Sequence, residues 1–178
     1  KGSSNKDLVV QSRCVWFYSH LYRMGYGSKE HLDAARLGFE FLRDKMWDKQ
    51  FGGFYWEVDV IGNVATMTDK HLYGQAFGLY ALSEYYMASG DEEAFILARK
   101  LFGILEYFAY DTRYGGYIES FHRDWSAQSS VGKSYMDTPH DLKLMNTHLH
   151  LMEAFTTYYL AGKDQVALAF HRRDFHRH

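Results

Sequence analysis

The chain has 178 residues, 47% of them hydrophobic, and a formal net charge of −2 at pH 7. That length and apolar content suit one ordinary domain with a sizeable core and exclude a disordered chain. The near-neutral balance offers no field to draw nucleic acid or an anionic membrane, and no stretch approaches the ~18 apolar residues of a membrane span. A single cysteine, Cys14, rules out an internal disulfide and fits a reducing, cytoplasmic setting. No signal peptide is expected at the N-terminus. Aromatic residues make up 18%, including 15 Tyr and 13 Phe. Such flat faces suit a sugar-binding cleft and serve equally well as filler in a helical core.

Lys1 to Lys6 is polar and loose. From about Leu8 to Met24, the residues Val9, Arg13, Trp16, Phe17, His20 and Met24 recur at helical spacing, and Gly25 and Gly27 stop the helix. Ser28 is the expected N-cap of a second helix, about Lys29 to Met46, with His31 where a capping box would carry Glu or Gln. Leu32, Ala35, Phe39 and Leu42 form its buried stripe, while Glu30, Asp33, Arg36, Glu40 and Arg43 face water. Gly52-Gly53 makes a turn, Phe54 to Val60 alternates like a short strand, and Gly62-Asn63 turns again. A third helix, about Asp69 to Ala88, carries Tyr73, Phe77, Tyr80, Leu82 and Tyr85. A fourth, about Asp91 to Ala109, opens on acids suited to a helix N-terminus. A polar loop over 122–141 holds Trp125 and the single proline, Pro139. The last helix runs over about Asn146 to Tyr159. Leu149, Met152 and Phe155 give it an apolar face, while Asn146, His150, Glu153 and Thr157 form a polar line down one side. That line faces either a polar cavity or a satisfied core network in which His150 bonds Glu153.

An internal repeat organises these elements. Asp48-x-x-Phe51-Gly52-Gly53-Phe54 returns 63 residues later as Asp111-x-x-Tyr114-Gly115-Gly116-Tyr117. Each unit is helix, helix, aromatic Gly-Gly hairpin, and a fixed period signals a stacked or closed array. Helix pairs with hairpins at one end suit an all-α (α/α)6 toroid, here only part of the ring. The helices near 29–46 and 91–109 are the expected outer ones. Those near 8–24, 69–88 and 143–160 are the expected inner ones, pointing Arg13, Tyr73, Asn146 and His150 at one axis.

These residues also carry a resemblance. Val10-Gln11-Ser12-Arg13-x-x-Trp16, Gly52-Gly53-Phe54-x-Trp56, Lys70-x-x-Tyr73-Gly74-Gln75-Ala76-Phe77, Tyr114-Gly115-Gly116-Tyr117-x-Glu119, Arg123-Asp124-Trp125 and Met145-Asn146-Thr147-His148-Leu149-His150 appear in order. Together they resemble the N-acylglucosamine 2-epimerase superfamily, on the side of its cellobiose-acting branch. The resemblance implies proton removal and return at C2 of a reducing sugar through an enediolate, without a cofactor. It places Arg13 and His150 at the O1/O2 end as catalytic groups, with Tyr73, Asn146, Trp16 and Glu153 binding substrate. It implies a reducing mono- or disaccharide as partner. It also puts the two acid/base histidines in a second half of the ring, since family members run to about twice this length. Residues 1–160 are thus expected to be a partial (α/α)6 domain, and 161–178 an unassigned basic, His-rich tail.

Other readings stay open at this level. Glu119 and Asp124 form a conceivable hydrolase pair, because several (α/α)6 enzymes are glycosidases using two carboxylates. Alternatively the chain is a non-catalytic carbohydrate-binding fragment. His148 and His150 resemble a metal pair, but on a helix they point about 200° apart, so no metal is expected. Cys14 is expected to be buried and inert. With the rest of a ring absent, apolar residues such as Trp16, Phe77, Leu149 and Phe155 are expected to border an open edge and drive self-association.

Overall fold

The structure is a computed structural model that describes residues 5–163 apart from 130, 136, 138 and 141. The tail expected at 161–178 lies outside the described residues from position 164 onward. Five helices dominate: α1 (Leu8–Arg23), α2 (Lys29–Phe41), α3 (Leu72–Ser89), α4 (Glu92–Ile104) and α5 (Met145–Gly162). Helices α1, α3 and α5 lie side by side with α3 in the middle, while α2 backs α1 and α4 backs α3. This is the expected division into inner and outer helices. Its cause is legible in burial: α3 hides residues on every side, including Gln75, Ser83 and Glu84, whereas α2 buries only Ala35 and Phe39. The result is an arc of an (α/α)6 ring. No helix among the described residues is long and apolar enough to cross a membrane.

Short strands launch the inner helices. β1 (Lys6–Asp7), β2 (Glu57–Val58) and β3 (Ala65–Met67) form one antiparallel sheet in that order, and β4 (Lys70–His71) pairs with β5 (Ser120–Phe121). β1 runs straight into α1 and β4 into α3. The first amide of each helix is held alike: Leu8 N donates to Trp56 O at 3.0 Å and Leu72 N to Glu119 O at 2.8 Å. Positions 56 and 119 are themselves one repeat apart.

The 63-residue repeat is conserved in backbone detail. Helices α2 and α4 each finish in a π-helical turn, Leu42–Met46 and Leu105–Ala109. The expected ends at Met46 and Ala109 therefore hold, with the last turn wider than α. Trp47 then bridges Phe54, and Tyr110 bridges Tyr117. Asp48 N donates to Gly53 O at 2.8 Å, as Asp111 N does to Gly116 O. Gly53 and Gly116 sit at φ +70° and +71°, a left-handed conformation open to glycine without strain. His31 completes the cap of α2, its Nδ1 accepting from Ser28 N at 3.0 Å.

Three expectations need correction. The strand expected over Phe54–Val60 shrinks to a bridge at Phe54 and to β2, because the chain changes partners midway. Tyr55 N bonds back to Met46 O, while Trp56 N bonds to Met67 O. On α5, Leu149 is off the buried face and about half exposed, whereas Phe77 and Phe155, expected with it at an open edge, are buried. The buried face of α5 is Thr147, Leu151, Ala154, Phe155 and Tyr158, packed toward Phe95, Phe102 and Tyr117. Cys14 is exposed, because α1 buries the line Leu8, Ser12, Val15 and Ser19 and Cys14 falls on its other side.

Candidate functional site

The three inner helices enclose a cavity of about 200 Å³. Ser12, Arg13 and Trp16 line it from α1, Phe77 and Tyr80 from α3, and His150 and Glu153 from α5. Each set follows helical spacing, so one face per helix supplies the wall. Four of the six expected site residues therefore meet in one place, although Arg13 and His150 are far apart in sequence.

The charged groups are oriented by aromatic neighbours. The Arg13 guanidinium stands 5.5 Å above the Phe77 ring. The His150 ring packs 4.6 Å from Phe77 and meets Tyr73 edge-on at 5.1 Å. Its Nδ1 lies 2.8 Å from Glu153 Oε2, the hydrogen bond foreseen as one alternative. A carboxylate accepts only, so Nδ1 carries the hydrogen, and Nε2 of the neutral ring is left as an acceptor. The polar line on α5 thus serves both alternatives: His150 is bonded to Glu153 and also faces a cavity.

Tyr73 does not line the cavity; it buttresses His150 and Phe77 from the next turn of α3. Asn146 is exposed one turn before His150. Sequence reasoning missed Phe77 and Tyr80 as wall residues. Their signal was present, since Tyr73, Phe77 and Tyr80 fall at i, i+4 and i+7 on the helix between the other two. Burial holds the Tyr80 hydroxyl above its usual titration range, helped by the charges of Glu153 and Glu84.

His148 belongs to a different structure. Its Nε2 accepts from Tyr117 N at 3.0 Å and its Nδ1 donates to Leu144 O at 2.8 Å, so it clamps the second Gly-Gly hairpin. Gln75 on α3 does the same for the first, bonding both N and O of Phe54 at 2.8 Å. His148 and His150 face different partners. Among the described residues no group of three His, Cys, Asp or Glu is placed to hold a metal ion.

The two carboxylates of the hydrolase reading do not reach the cavity. Asp124 is exposed and caps its own turn through Ser126. Glu119 is fully buried, accepts from Thr147 Oγ1 at 2.6 Å and lies 3.4 Å from His71 Nδ1. Burial pushes its carboxyl up to about 7, against the Thr147 hydrogen bond, and burial pushes His71 down to about 4. Glu119 therefore ties β5 to the first turn of α5. Trp56 packs on His71 and Tyr135, away from the cavity.

This chain is similar to known proteins over nearly its whole length. The profile of the N-acylglucosamine 2-epimerase (GlcNAc 2-epimerase) family matches residues 1–170. A cellobiose 2-epimerase of Ruminococcus albus is 42% identical over 165 residues, covering 92% of this chain and 41% of that protein. One from Bacteroides fragilis is 35% identical over 161 residues, covering 90% and 40%. The solved cellobiose 2-epimerase of Spirochaeta thermophila superposes with a TM-score of 0.86 at 36% identity, over 94% of this chain and 41% of that one. A D-mannose isomerase structure, at 23% identity and a TM-score of 0.79, shares the fold. The chain thus spans about two-fifths of the length of the relatives it matches.

Proposed function

The chain belongs to the N-acylglucosamine 2-epimerase family, and on that premise we propose that it carries the saccharide-binding part of a sugar 2-epimerase acting on a cellobiose-type reducing aldose. The observation that carries the reading is the convergence of Arg13, Trp16, His150 and Glu153 from three inner helices on one cavity. Inversion at C2 removes the C2 proton from one face of the sugar and returns a proton to the other. The intermediate is an enediolate, with charge spread over O1 and O2. Arg13 supports that charge, because a guanidinium stays protonated and presents a planar fork of donors. A preorganised donor of this kind is worth about 3–4 kcal/mol in comparable oxyanion sites. His150, steadied at Nδ1 by Glu153, offers Nε2 for proton exchange with a substrate oxygen. Trp16 and Tyr80, stacked on each other, give the wall aromatic surface for sugar C–H groups, with Tyr73 and Asn146 at the rim. Proton removal and return at C2 consumes no net oxidant or reductant.

Epimerisation needs an acid/base group on each face of C2, and the one histidine that lines the cavity among the described residues, His150, is assigned to the substrate oxygens. The chain by itself is therefore expected to bind reducing mono- or disaccharides and turn them over weakly or not at all. The test is an NMR titration with cellobiose in deuterium oxide. Saturable shifts with little exchange at C2 are expected. No binding of any aldose would overturn the saccharide reading, and rapid C2 exchange would overturn the claim of incomplete machinery.

The same reading extends to assembly and location. Val10 and Phe17 on α1, Met24 at its C-cap, and Leu149 and Leu160 on α5 are about half exposed, on the two helices that flank the arc. A second copy related by twofold symmetry is the simplest cover for such edges. Light scattering should report a species larger than the 20.9 kDa monomer; a compact monomer with a cooperative melt would refute it. An exposed free Cys14 fits the reducing cytoplasm.

A further inference from the structure

Trp16 belongs to a stack of three rings, with Tyr80 and His20 as its two recorded neighbours. Its indole lies 5.2 Å from the Tyr80 ring, 24° from parallel, and 4.8 Å from the His20 ring, 12° from parallel. Tyr80 lines the cavity, but His20, one turn further along α1, does not. His20 is itself held from below. Its Nδ1 is 3.0 Å from Glu84 Oε1, and Arg23 Nε donates to that same oxygen at 2.6 Å. Glu84 stands on α3 one turn beyond Tyr80, with its side chain only 3% exposed. A buried carboxylate on α3 thus fixes an imidazole on α1, and the imidazole backs the indole. The clamp between the two helices does not need the imidazole, because Arg23 already reaches Glu84. What the imidazole adds is a plane.

We propose that His20, oriented by Glu84, is a positioning residue that sets the plane of the stacked Trp16–Tyr80 pair in the wall of the cavity. This rests on the saccharide reading, in which a planar face meets the C–H face of a sugar ring. An indole held flat before binding loses less freedom when the ligand arrives. Stacked pairs contribute enough to hold such an orientation against rotation about the side-chain bonds.

The test uses the chain labelled with 5-fluorotryptophan, the Trp16 fluorine line being assigned by its loss in Trp16→Phe. His20→Gln keeps a hydrogen bond to Glu84 and removes the ring. His20→Phe keeps a ring and removes the hydrogen bond. Positioning by stacking predicts that His20→Gln shifts and broadens the Trp16 line and weakens cellobiose binding about fivefold. It predicts that His20→Phe stays within about twofold of wild type with a sharp line. A purely structural clamp predicts the reverse order, and that result overturns the proposal. So does an unmoved Trp16 line in His20→Gln, or a moved line with unchanged affinity. If wild type binds no sugar, the saccharide reading fails while the fluorine spectra still decide whether His20 sets the indole.

Discussion

Replacing Asp48 by Asn separates the charge of the first Gly-Gly turn from its shape. The amide oxygen can still accept the Gln50 and Phe51 amide hydrogens that Oδ1 holds at 3.0 and 3.3 Å. What is lost is the negative charge beside Lys70 and Arg123. Asp48 and Lys70 are both fully buried, 3.0 Å apart, with Arg123 Nε 2.9 Å from the same carboxylate oxygen. Burial alone would push the Asp48 carboxyl up; hydrogen bonds from Arg123 and Lys70 outweigh it and hold the group well below the usual range. Burial pushes Lys70 down to about 8 even with Asp48 opposing. Removing one partner of a buried pair costs about 3–5 kcal/mol. A ceiling comes from proton loss: neutralising an ordinary lysine of pKa 10.5 at pH 7 costs about 5 kcal/mol. The second turn is the internal control. Asp111 accepts the Arg113 and Tyr114 amides at 2.9 and 3.1 Å and pairs with Lys143, but those two side chains are 17% and 30% exposed. There Asn should cost about 1 kcal/mol or less. Urea denaturation at pH 7 should therefore separate the two variants by about 3 kcal/mol. The pH dependence has a definite sign. The folded pKa of Lys70 lies below its unfolded value, so its penalty is complete at low pH and fades as pH rises toward 10.5. The gap between Asp48→Asn and wild type should shrink by pH 10. Equal losses at the two turns, or an Asp48→Asn penalty unchanged at pH 10, would refute the reasoning.

Glu119→Gln should flatten the stability profile. Its folded pKa, about 7, lies above the ordinary 4.5, so the wild type loses stability as pH rises from 4.5 through 7. The variant should gain on it by about 3 kcal/mol at pH 8 and match it near pH 4; parallel denaturation midpoints across that window would contradict the assignment. Gly53→Ala should cost about 3 kcal/mol or more and disturb Trp125 fluorescence, because a Cβ there would lie 2.5 Å from Trp125 Cζ2. Gly115→Ala, at a similar φ with nothing within 4 Å, should cost about 1–2 kcal/mol, as thermal melts would show. Arg13→Gln should weaken cellobiose binding about tenfold in the NMR titration without shifting the melting temperature, since Arg13 is exposed, with its guanidinium over the Phe77 ring.

The helices, their inner and outer ranks and the 63-residue repeat were legible in the sequence because each depends on residues close along the chain. A stripe at i, i+4 and i+7 declares a face, and paired glycines declare a left-handed turn. The same local logic aimed Arg13, Tyr73, Asn146 and His150 at one axis, and of these Arg13 and His150 line the cavity. It put His150 on a line facing a cavity or a core network, but did not say that His148 clamps a hairpin, because that role depends on Tyr117 from another segment. Nor did it show that Asp48 is neutralised by Lys70 and Arg123, 22 and 75 residues away. Leu149 and Cys14 were misplaced for a related reason. Apolar character says that a side chain gains by burial, but which side of a helix is buried depends on what packs there, and those partners come from other helices. Spacing along the chain sets which side chains share a face; the packing of distant segments sets what that face meets.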